Sequence, residues 1–283
     1  MAFSDVVRRE FRASDEARDK GLTTDDGVVR CDNISYLAGA GSEDVWHLLD
    51  VYRPKSAGDE KLPVIVSVHG GGWVYGDKDV YQYYCMDLCR RGFAVVNFSY
   101  RLAPEYKHPA QVEDTVLAFK WVKANAEQYG FDLEHLYAVG DSAGANILSL
   151  YCILCGKEKD LPLPKAVALN CGVYSVREVE REMRGFMSEL MPNKGTTEEM
   201  DMLDVISNID EQFPPVFLMT CYGDFLKSQA PLLEDRLKLL GIPYVSKLYG
   251  SEEHPLRHVF HCDIRMPEAI RCNDETCEFF VGF

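Results

Sequence analysis

Three short runs of almost uninterrupted apolar residues constrain the fold of this 283-residue chain most strongly. Their sequences are VIVSVH from Val64, FAVVNFS from Phe93 and VFLMTC from Val216. Strands with apolar side chains on both faces are typical of parallel sheets that helices cover on each side. The runs therefore predict an α/β fold with a mostly parallel, doubly wound sheet.

The other predicted strands are less uniformly apolar. The first two alternate apolar and polar residues, as in WHLLDVY, and this pattern predicts an antiparallel edge with one face in water. Together with the three runs, which extend over Val64–His69, Phe93–Ser99 and Val216–Tyr222, the predicted strands are Val28–Leu37, Val45–Tyr52, Leu136–Gly140, Ala166–Cys171 and Tyr244–Tyr249.

Helix-like segments alternate with these strands over most of the chain. A glycine follows four of them, at positions 92, 130, 156 and 241, as expected of helix C-terminal caps. In such a sheet, catalytic groups gather in the loops beyond the carboxyl ends of the strands. The predicted helices are Tyr81–Arg91, Gln111–Tyr129, Ala143–Cys155, Gln229–Leu240 and Pro267–Phe280.

Two segments lie outside this alternation. Residues 1–22 have the pattern of an amphipathic helix, and residues 174–212 are polar and helical in pattern. The second segment interrupts the sheet between two strands, either as a solvated excursion or as a lid over an active site. Its position beyond the carboxyl end of a strand favours the lid, so we expect one domain, 1–283, with cap elements at about 1–22 and 174–212.

The net charge and the absence of long apolar runs limit the partners and the location expected of the protein. A net charge of −15 argues against nucleic acid and against an anionic membrane surface. The start of the chain lacks the pattern of a signal peptide, and no apolar run has the length of a membrane helix, so we expect a cytoplasmic protein.

The ten cysteines lack zinc-finger spacing, and we expect reduced thiols and no metal site.

The segment GDSAG, Gly140–Gly144, matches the pattern G-x-S-x-G between a predicted strand and a predicted helix. That context is the one in which a sharp turn holds a serine hydroxyl clear of the sheet as a nucleophile. The backbone N–H of Ala143 would lie at the helix N-terminus, where an anion is favoured. Ser142 is therefore the predicted nucleophile.

A second glycine-rich segment, HGGGW, spans His69–Trp73 directly after the run VIVSV. A phosphate loop would need a Lys followed by Ser or Thr, and neither follows here. Three consecutive glycines allow backbone N–H groups to turn into a site, so Gly71 and Gly72 are predicted to form an oxyanion hole with Ala143.

A serine nucleophile needs a base and an acid that orients the base, in the chain order Ser, Asp, His. Asp224 follows the run VFLMTC at the expected end of its strand. Three histidines, at positions 254, 258 and 261, follow the last strand. His258 is the predicted base: His254 precedes a proline and follows two glutamates, and His261 lies closer to the positive end of the last helix.

These segments together resemble the hormone-sensitive-lipase-like esterases of the α/β-hydrolase superfamily. The resemblance rests on HGGGW, on YRLAPE at 100–105 with PAQVED after it, on GDSAG, on GDFL at 223 and on HVF at 258. It implies an eight-stranded sheet, a small helical cap and ester hydrolysis without a metal or organic cofactor. His108 and Val259 depart from the family pattern, which usually has Phe and Gly at these positions.

The sequence thus predicts a carboxylesterase that acts on short acyl esters such as acetyl esters. Its partner would be a small-molecule ester, with a homodimer left open, and Trp73 is expected to line the substrate pocket. Two alternatives stay open at this point: an amide or peptide hydrolase that uses the same three residues, and a relative that binds a ligand without turnover.

Overall fold

The computed structural model describes residues 2–41 and 44–283 of the chain. Eight strands form one sheet in the order β1-β2-β4-β3-β5-β6-β7-β8, with β1–β2 and β2–β4 antiparallel and the remaining pairs parallel. The predicted fold class, an eight-stranded and mostly parallel doubly wound sheet, is confirmed. The strands are β1 Val28–Ser35, β2 Leu48–Pro54, β3 Leu62–Val68, β4 Ala94–Phe98, β5 Phe131–Asp141, β6 Ala166–Asn170, β7 Val216–Cys221 and β8 Tyr244–Tyr249.

Helices connect the strands and cover the sheet. The predicted helix over 111–129 is two helices, because the chain leaves the helical conformation at Asn125. The helices are α1 Phe3–Asp19, α2 Lys78–Cys89, α3 Ala110–Ala124, α4 Ala126–Tyr129, α5 Ala143–Lys157, α6 Glu180–Leu190, α7 Thr197–Leu203, α8 Val205–Asn208, α9 Gln229–Leu240 and α10 Pro267–Val281.

The hydrophobic core has one layer on each face of the sheet. Along β3, Val64 and Val66 pack with Phe119 of α3 on one face, whereas Ile65 packs with Leu88 of α2 and Phe280 of α10 on the other. Each of these side chains is buried, and burying one such side chain contributes about 1.5–3 kcal/mol. The uninterrupted apolar runs are therefore required by a sheet with helices on both faces.

The prediction that each of the first two strands has one face in water is correct for β1, at the edge of the sheet, and wrong for β2, which lies between β1 and β4. Asp50, a polar residue in the alternating pattern of β2, is fully buried. Its carboxylate is 3.1 Å from Nζ of Lys78 at the start of α2, and it accepts a hydrogen bond from the Tyr52 hydroxyl at 2.9 Å. A buried charge with such partners produces the same alternating pattern as a solvated face.

The helix α1 lies against the segment between β6 and β7. Phe3 meets Phe186 of α6 edge to face with ring centroids 4.8 Å apart. Arg8 of α1 pairs with Glu105 at 2.6 Å and donates from Nε to the Val74 carbonyl at 2.7 Å. The two segments predicted to form a cap thus contact each other and the loop that follows β3.

All ten cysteines are free thiols, and only Cys31 is exposed. Their burial fits the predicted role as small apolar side chains. No helix within residues 2–41 and 44–283 has the length and apolarity needed to cross a membrane.

His108, where the family usually has Phe, is half-buried next to α3. Burial lowers its pKa to about 4, and the nearby carboxylates of Glu113 and Glu199 only partly offset this effect. An unfolded chain binds the proton below about pH 6.5, whereas the folded protein binds it only near pH 4. Between these values the unfolded state holds more protons, so the free energy of unfolding decreases as the pH falls.

Replacing His108 with Phe should remove this pH dependence. At pH 5 the His108→Phe variant should gain up to about 2 kcal/mol over the wild type, and the gain should shrink towards pH 7.5. Urea unfolding at both pH values measures the difference, with the exposed His254→Phe variant as the control. A gain that is equal at the two pH values would contradict the assigned titration.

Candidate active site

Ser142 lies at the junction of β5 and α5, with φ 54° and ψ −116°. A positive φ is unfavourable for a residue with a side chain, and the glycines two positions before and after Ser142 allow the tight packing of this turn. A Cβ on Gly144 would lie 2.1 Å from the Val68 carbonyl oxygen, and one on Gly140 would lie 2.7 Å from the Gly144 carbonyl oxygen. Both glycines of G-x-S-x-G are therefore needed for the close approach of β5, α5 and β3.

The structure brings the predicted nucleophile, base and acid together. Nε2 of His258 is 2.9 Å from Oγ of Ser142, and Nδ1 of His258 is 2.7 Å from Oδ1 of Asp224. The three side chains come from the ends of β5 and β7 and from the loop after β8. They form one continuous chain of hydrogen bonds between residues separated by up to 116 positions.

Asp224 is held in place as an ionised carboxylate. Its Oδ2 accepts a hydrogen bond from the Thr220 hydroxyl at 2.7 Å, and its Oδ1 accepts one from the Leu226 N–H at 2.9 Å. Burial raises the pKa of this carboxyl, but the hydrogen bonds and the interaction with His258 outweigh burial and leave the pKa below its usual value. A carboxylate at Nδ1 favours the tautomer in which Nε2 is free to accept the Ser142 proton.

The other two histidines of this region lie elsewhere. His254 is exposed, and its backbone N–H donates to Oγ of Ser251 at 3.1 Å. His261 is fully buried in a 3₁₀ turn, where Nε2 is 3.0 Å from Oδ2 of Asp141. The sequence predicts only that His261 lies near the positive end of the last helix. It does not predict this contact with Asp141, the residue before the nucleophile. Neither histidine has a hydrogen bond to Ser142 within the described part of the chain.

The glycine-rich loop after β3 has an unusual backbone conformation. Gly71 and Gly72 have φ of 117° and 61°. A Cβ on Gly71 would lie 2.0 Å from the Tyr75 carbonyl oxygen, and one on Gly72 would lie 2.2 Å from the Phe186 ring. Within residues 2–41 and 44–283, the N–H groups of Gly71, Gly72 and Ala143 donate to no protein acceptor. All three residues line the same cavity as Ser142.

His69 fixes the start of this loop. Its ring is fully buried and stacks on Tyr100 with centroids 3.9 Å apart, and its Nδ1 donates to the Gly70 carbonyl at 2.7 Å. The Tyr100 hydroxyl in turn donates to the His69 carbonyl at 2.8 Å. Burial lowers the pKa of His69 to about 4, so the ring is neutral at pH 7 and acts as a support for the loop.

A cavity of about 290 Å³ opens over Ser142 and His258. Trp73, the residue predicted to line a substrate pocket, forms part of its wall, and its ring meets Phe186 edge to face at 6.4 Å. The helices α1 and α6 contribute side chains to this wall. Met183 and Phe186 of the segment 174–212 also line the cavity, together with five residues that sequence reasoning did not single out: Asp15, Arg18, Val173, Phe225 and Arg257.

Phe225 had the clearest sequence signal among the missed residues because it directly follows the acid in GDFL. Its ring lies 4.6 Å from the His258 ring. Asp15 and Arg18 had no such signal, since they come from the predicted N-terminal helix and reach the site only through tertiary packing. The resulting site contains a nucleophile with its base and acid, unpaired backbone donors and a mostly apolar cavity.

Known proteins resemble the chain in sequence and structure. The versiconal hemiacetal acetate esterase of Dothistroma septosporum is 27% identical over 216 residues, which cover 68% of this chain and 66% of that protein. The carboxylesterase NlhH of Mycobacterium tuberculosis is 42% identical over 103 residues, 34% of this chain and 30% of that protein. The chain thus spans less than two thirds of the length of these curated relatives.

The structural similarity extends over nearly the whole chain. Esterase B of Lactobacillus rhamnosis superimposes with a TM-score of 0.86 at 26% identity, over 99% of this chain and 93% of that one. The same esterase has also been solved with a tributyrin phosphonate inhibitor. A family model described as alpha/beta hydrolase fold matches residues 65–258, the part of the chain that contains every predicted catalytic residue. The protein therefore belongs to the alpha/beta hydrolase fold family, as its resemblance to the hormone-sensitive-lipase-like esterases predicted.

Proposed function

We propose that the protein is a serine carboxylesterase that hydrolyses short-chain acyl esters of small alcohols. The observation that carries the proposal is the hydrogen-bonded chain from Asp224 through His258 to Ser142, which ends at a cavity of about 290 Å³. The names of the related esterases support the same class of reaction.

In the proposed reaction, Ser142 Oγ attacks the ester carbonyl carbon while its proton moves to Nε2 of His258. Asp224 stabilises the imidazolium that forms. The carbonyl oxygen becomes an anion, and the unpaired N–H groups of Gly71, Gly72 and Ala143 receive it. Removing one such donor from a related site typically costs about 3–4 kcal/mol of transition-state stabilisation.

The tetrahedral intermediate then collapses, and the C–O bond to the alcohol breaks. His258 returns the proton from Nε2 to the leaving alcohol, which leaves an acyl group on Ser142. A water molecule then gives its proton to His258 and attacks the acyl carbon by the same route. The acid leaves, and Ser142 recovers its proton. The residues that would carry the reaction all belong to this chain.

The size and lining of the cavity support a short acyl chain. Trp73, Met183 and Phe186 surround the space beside Ser142, and Phe186 leaves no room for even a Cβ on Gly72. The relative from Dothistroma septosporum is named as an acetate esterase, and the inhibitor in one related structure is a tributyrin phosphonate. Both names point to acyl groups in the range from acetyl to butyryl.

A series of p-nitrophenyl esters tests the acyl preference. We expect kcat/KM to be highest between acetyl and butyryl and to fall for chains of about eight carbons or more. Each CH₂ that fits adds at most about 0.8 kcal/mol, roughly a fourfold gain, and a CH₂ that does not fit adds nothing. The matching p-nitroanilides, run alongside, test amide hydrolysis. A kcat/KM that rises through long chains, with activation at a lipid interface, would indicate a lipase instead.

A further inference from the structure

A thiol lies beside the hydrogen bond between His258 and Asp224. Cys171 directly follows β6, is 1% exposed and has φ 48°, and its N–H donates to the Met219 carbonyl at 2.7 Å. Its Sγ, a carboxylate oxygen of Asp224 and a ring nitrogen of His258 all lie within 4.8 Å of one another. The proposed reaction gives this thiol no role.

The three donor types are those that zinc and cadmium prefer. Zinc binds thiolate sulfur at about 2.3 Å, imidazole nitrogen at about 2.0–2.1 Å and carboxylate oxygen at about 2.0–2.2 Å, with tetrahedral geometry. Three such ligands leave the fourth position for water. Magnesium and calcium require oxygen ligands and have no use for the sulfur. We propose that Cys171, Asp224 and His258 form an inhibitory site for a thiophilic divalent cation such as Zn²⁺.

The balance of protons explains why the ion would inhibit. The His258 nitrogen nearest Asp224 is Nδ1, at 2.7 Å, so the ion takes the place of the proton between them. The neutral imidazole then carries its proton on Nε2. The Cys171 thiol loses its proton to solvent as the metal–sulfur bond forms. With a proton on Nε2, His258 cannot accept one from Ser142. This loss of activity, unlike binding itself, rests on the proposed esterase function.

The proposed site reaches the cavity through His258. The His258 side chain is 21% exposed and lines the cavity, whereas the Cys171 side chain is buried. A second group with the same donor types, Asp141, His261 and Cys262, has its ligand atoms equally close but is fully buried and lines none of the cavity. Cys262 therefore provides a matched control, because its thiol is as buried as that of Cys171 but its group has no member that lines the cavity.

Zinc titration of ester hydrolysis tests the site. Rates with p-nitrophenyl acetate are measured for the wild type and for the variants Cys171→Ala, Cys171→Ser and Cys262→Ala, each relative to its own metal-free rate. We expect Zn²⁺ but not Mg²⁺ to inhibit the wild type, and a chelator to restore activity. Both Cys171 variants should need at least about tenfold more Zn²⁺ for half inhibition, since losing even an outer partner of a metal ligand costs 10–100-fold in affinity.

The Cys262→Ala variant should match the wild type. Equal sensitivity of the Cys171 variants and the wild type, no inhibition of the wild type, or a Cys262→Ala variant that resists Zn²⁺ would each overturn the proposal.

Cadmium provides a measurement that does not depend on catalysis. Equimolar Cd²⁺ should produce the ultraviolet sulfur-to-cadmium charge-transfer band in the wild type and in Cys262→Ala. The band should also appear in Cys31→Ser, which lacks the exposed thiol. It should be absent in Cys171→Ala. A band that persists in Cys171→Ala, or that is missing from the wild type, would overturn the site. If the band behaves as expected in a protein without esterase activity, the proposed function fails and the metal site stands.

Discussion

Replacing Ser142 with alanine should reduce kcat by about 10⁶, the usual cost of removing a serine nucleophile from such a site. The reduction is expected because Oγ is the atom hydrogen-bonded to Nε2 of His258 at 2.9 Å. Alanine keeps the Cβ, so the strain of the positive φ is unchanged. The midpoint of thermal unfolding should therefore stay within about 2–4 °C of the wild type, which corresponds to about 1 kcal/mol.

The exposed serine Ser56 provides the control, because Ser56→Ala should leave both kcat and the unfolding midpoint unchanged. Initial rates at saturating p-nitrophenyl acetate, together with calorimetry, measure both quantities. A Ser142→Ala variant with kcat within about tenfold of the wild type would remove Ser142 from the proposed role.

Replacing His258 with alanine should reduce kcat nearly as much as losing Ser142, by about 10⁶, since the two groups act as a unit. The His254→Ala variant should keep its kcat within about threefold of the wild type, because that side chain is exposed and contacts none of the reacting groups. Steady-state kinetics on both variants tests the assignment. An inactive His254→Ala variant with an active His258→Ala variant would reverse it.

His261 adds a third outcome to this comparison. Its removal takes one hydrogen bond, at 3.0 Å, from the buried Asp141 carboxylate, which keeps the one from Asn170 at 2.9 Å, and losing a hydrogen bond to a charged group costs about 1.5–3 kcal/mol. The free energy of unfolding of His261→Ala should fall by this amount, measured with urea, whereas the remaining folded protein should keep most of its kcat. His258→Ala should instead lose its kcat, and its buried partner Asp224 keeps the hydrogen bonds from the Thr220 hydroxyl and the Leu226 N–H.

Much of the fold and the nucleophile turn could be predicted because their signals are local. The run VIVSV is apolar throughout since Val64 and Ile65 face opposite layers of the core. Gly140 and Gly144 are informative because a Cβ at either position would collide with the backbone. Features of this kind depend on the conformation of a few adjacent residues, and a single sequence displays them directly.

The features that sequence reasoning missed depend on contacts between distant segments. Asp50 has the polar pattern of a solvated position, and its burial depends on partners that include Lys78, 28 residues away. The bond between Asp141 and His261 spans 120 residues. The approach of Cys171 to Asp224 and His258 likewise requires three loops to meet. The periodicity of apolar residues does not predict these long-range contacts, because it indicates which residues are buried and not which residues they contact.

Labelling with a fluorophosphonate tests the central claim, that Ser142 forms a covalent acyl-enzyme, most directly. The reagent phosphonylates an activated serine, and intact-mass and peptide analysis locate the adduct. We expect one adduct per wild-type chain, located on Ser142, with activity lost in proportion to labelling. Ser142→Ala should show no adduct, and His258→Ala should label far more slowly because its serine has lost its base. A wild-type protein that stays unlabelled while folded, or that carries the adduct on another residue while Ser142 is unmodified, would contradict the account.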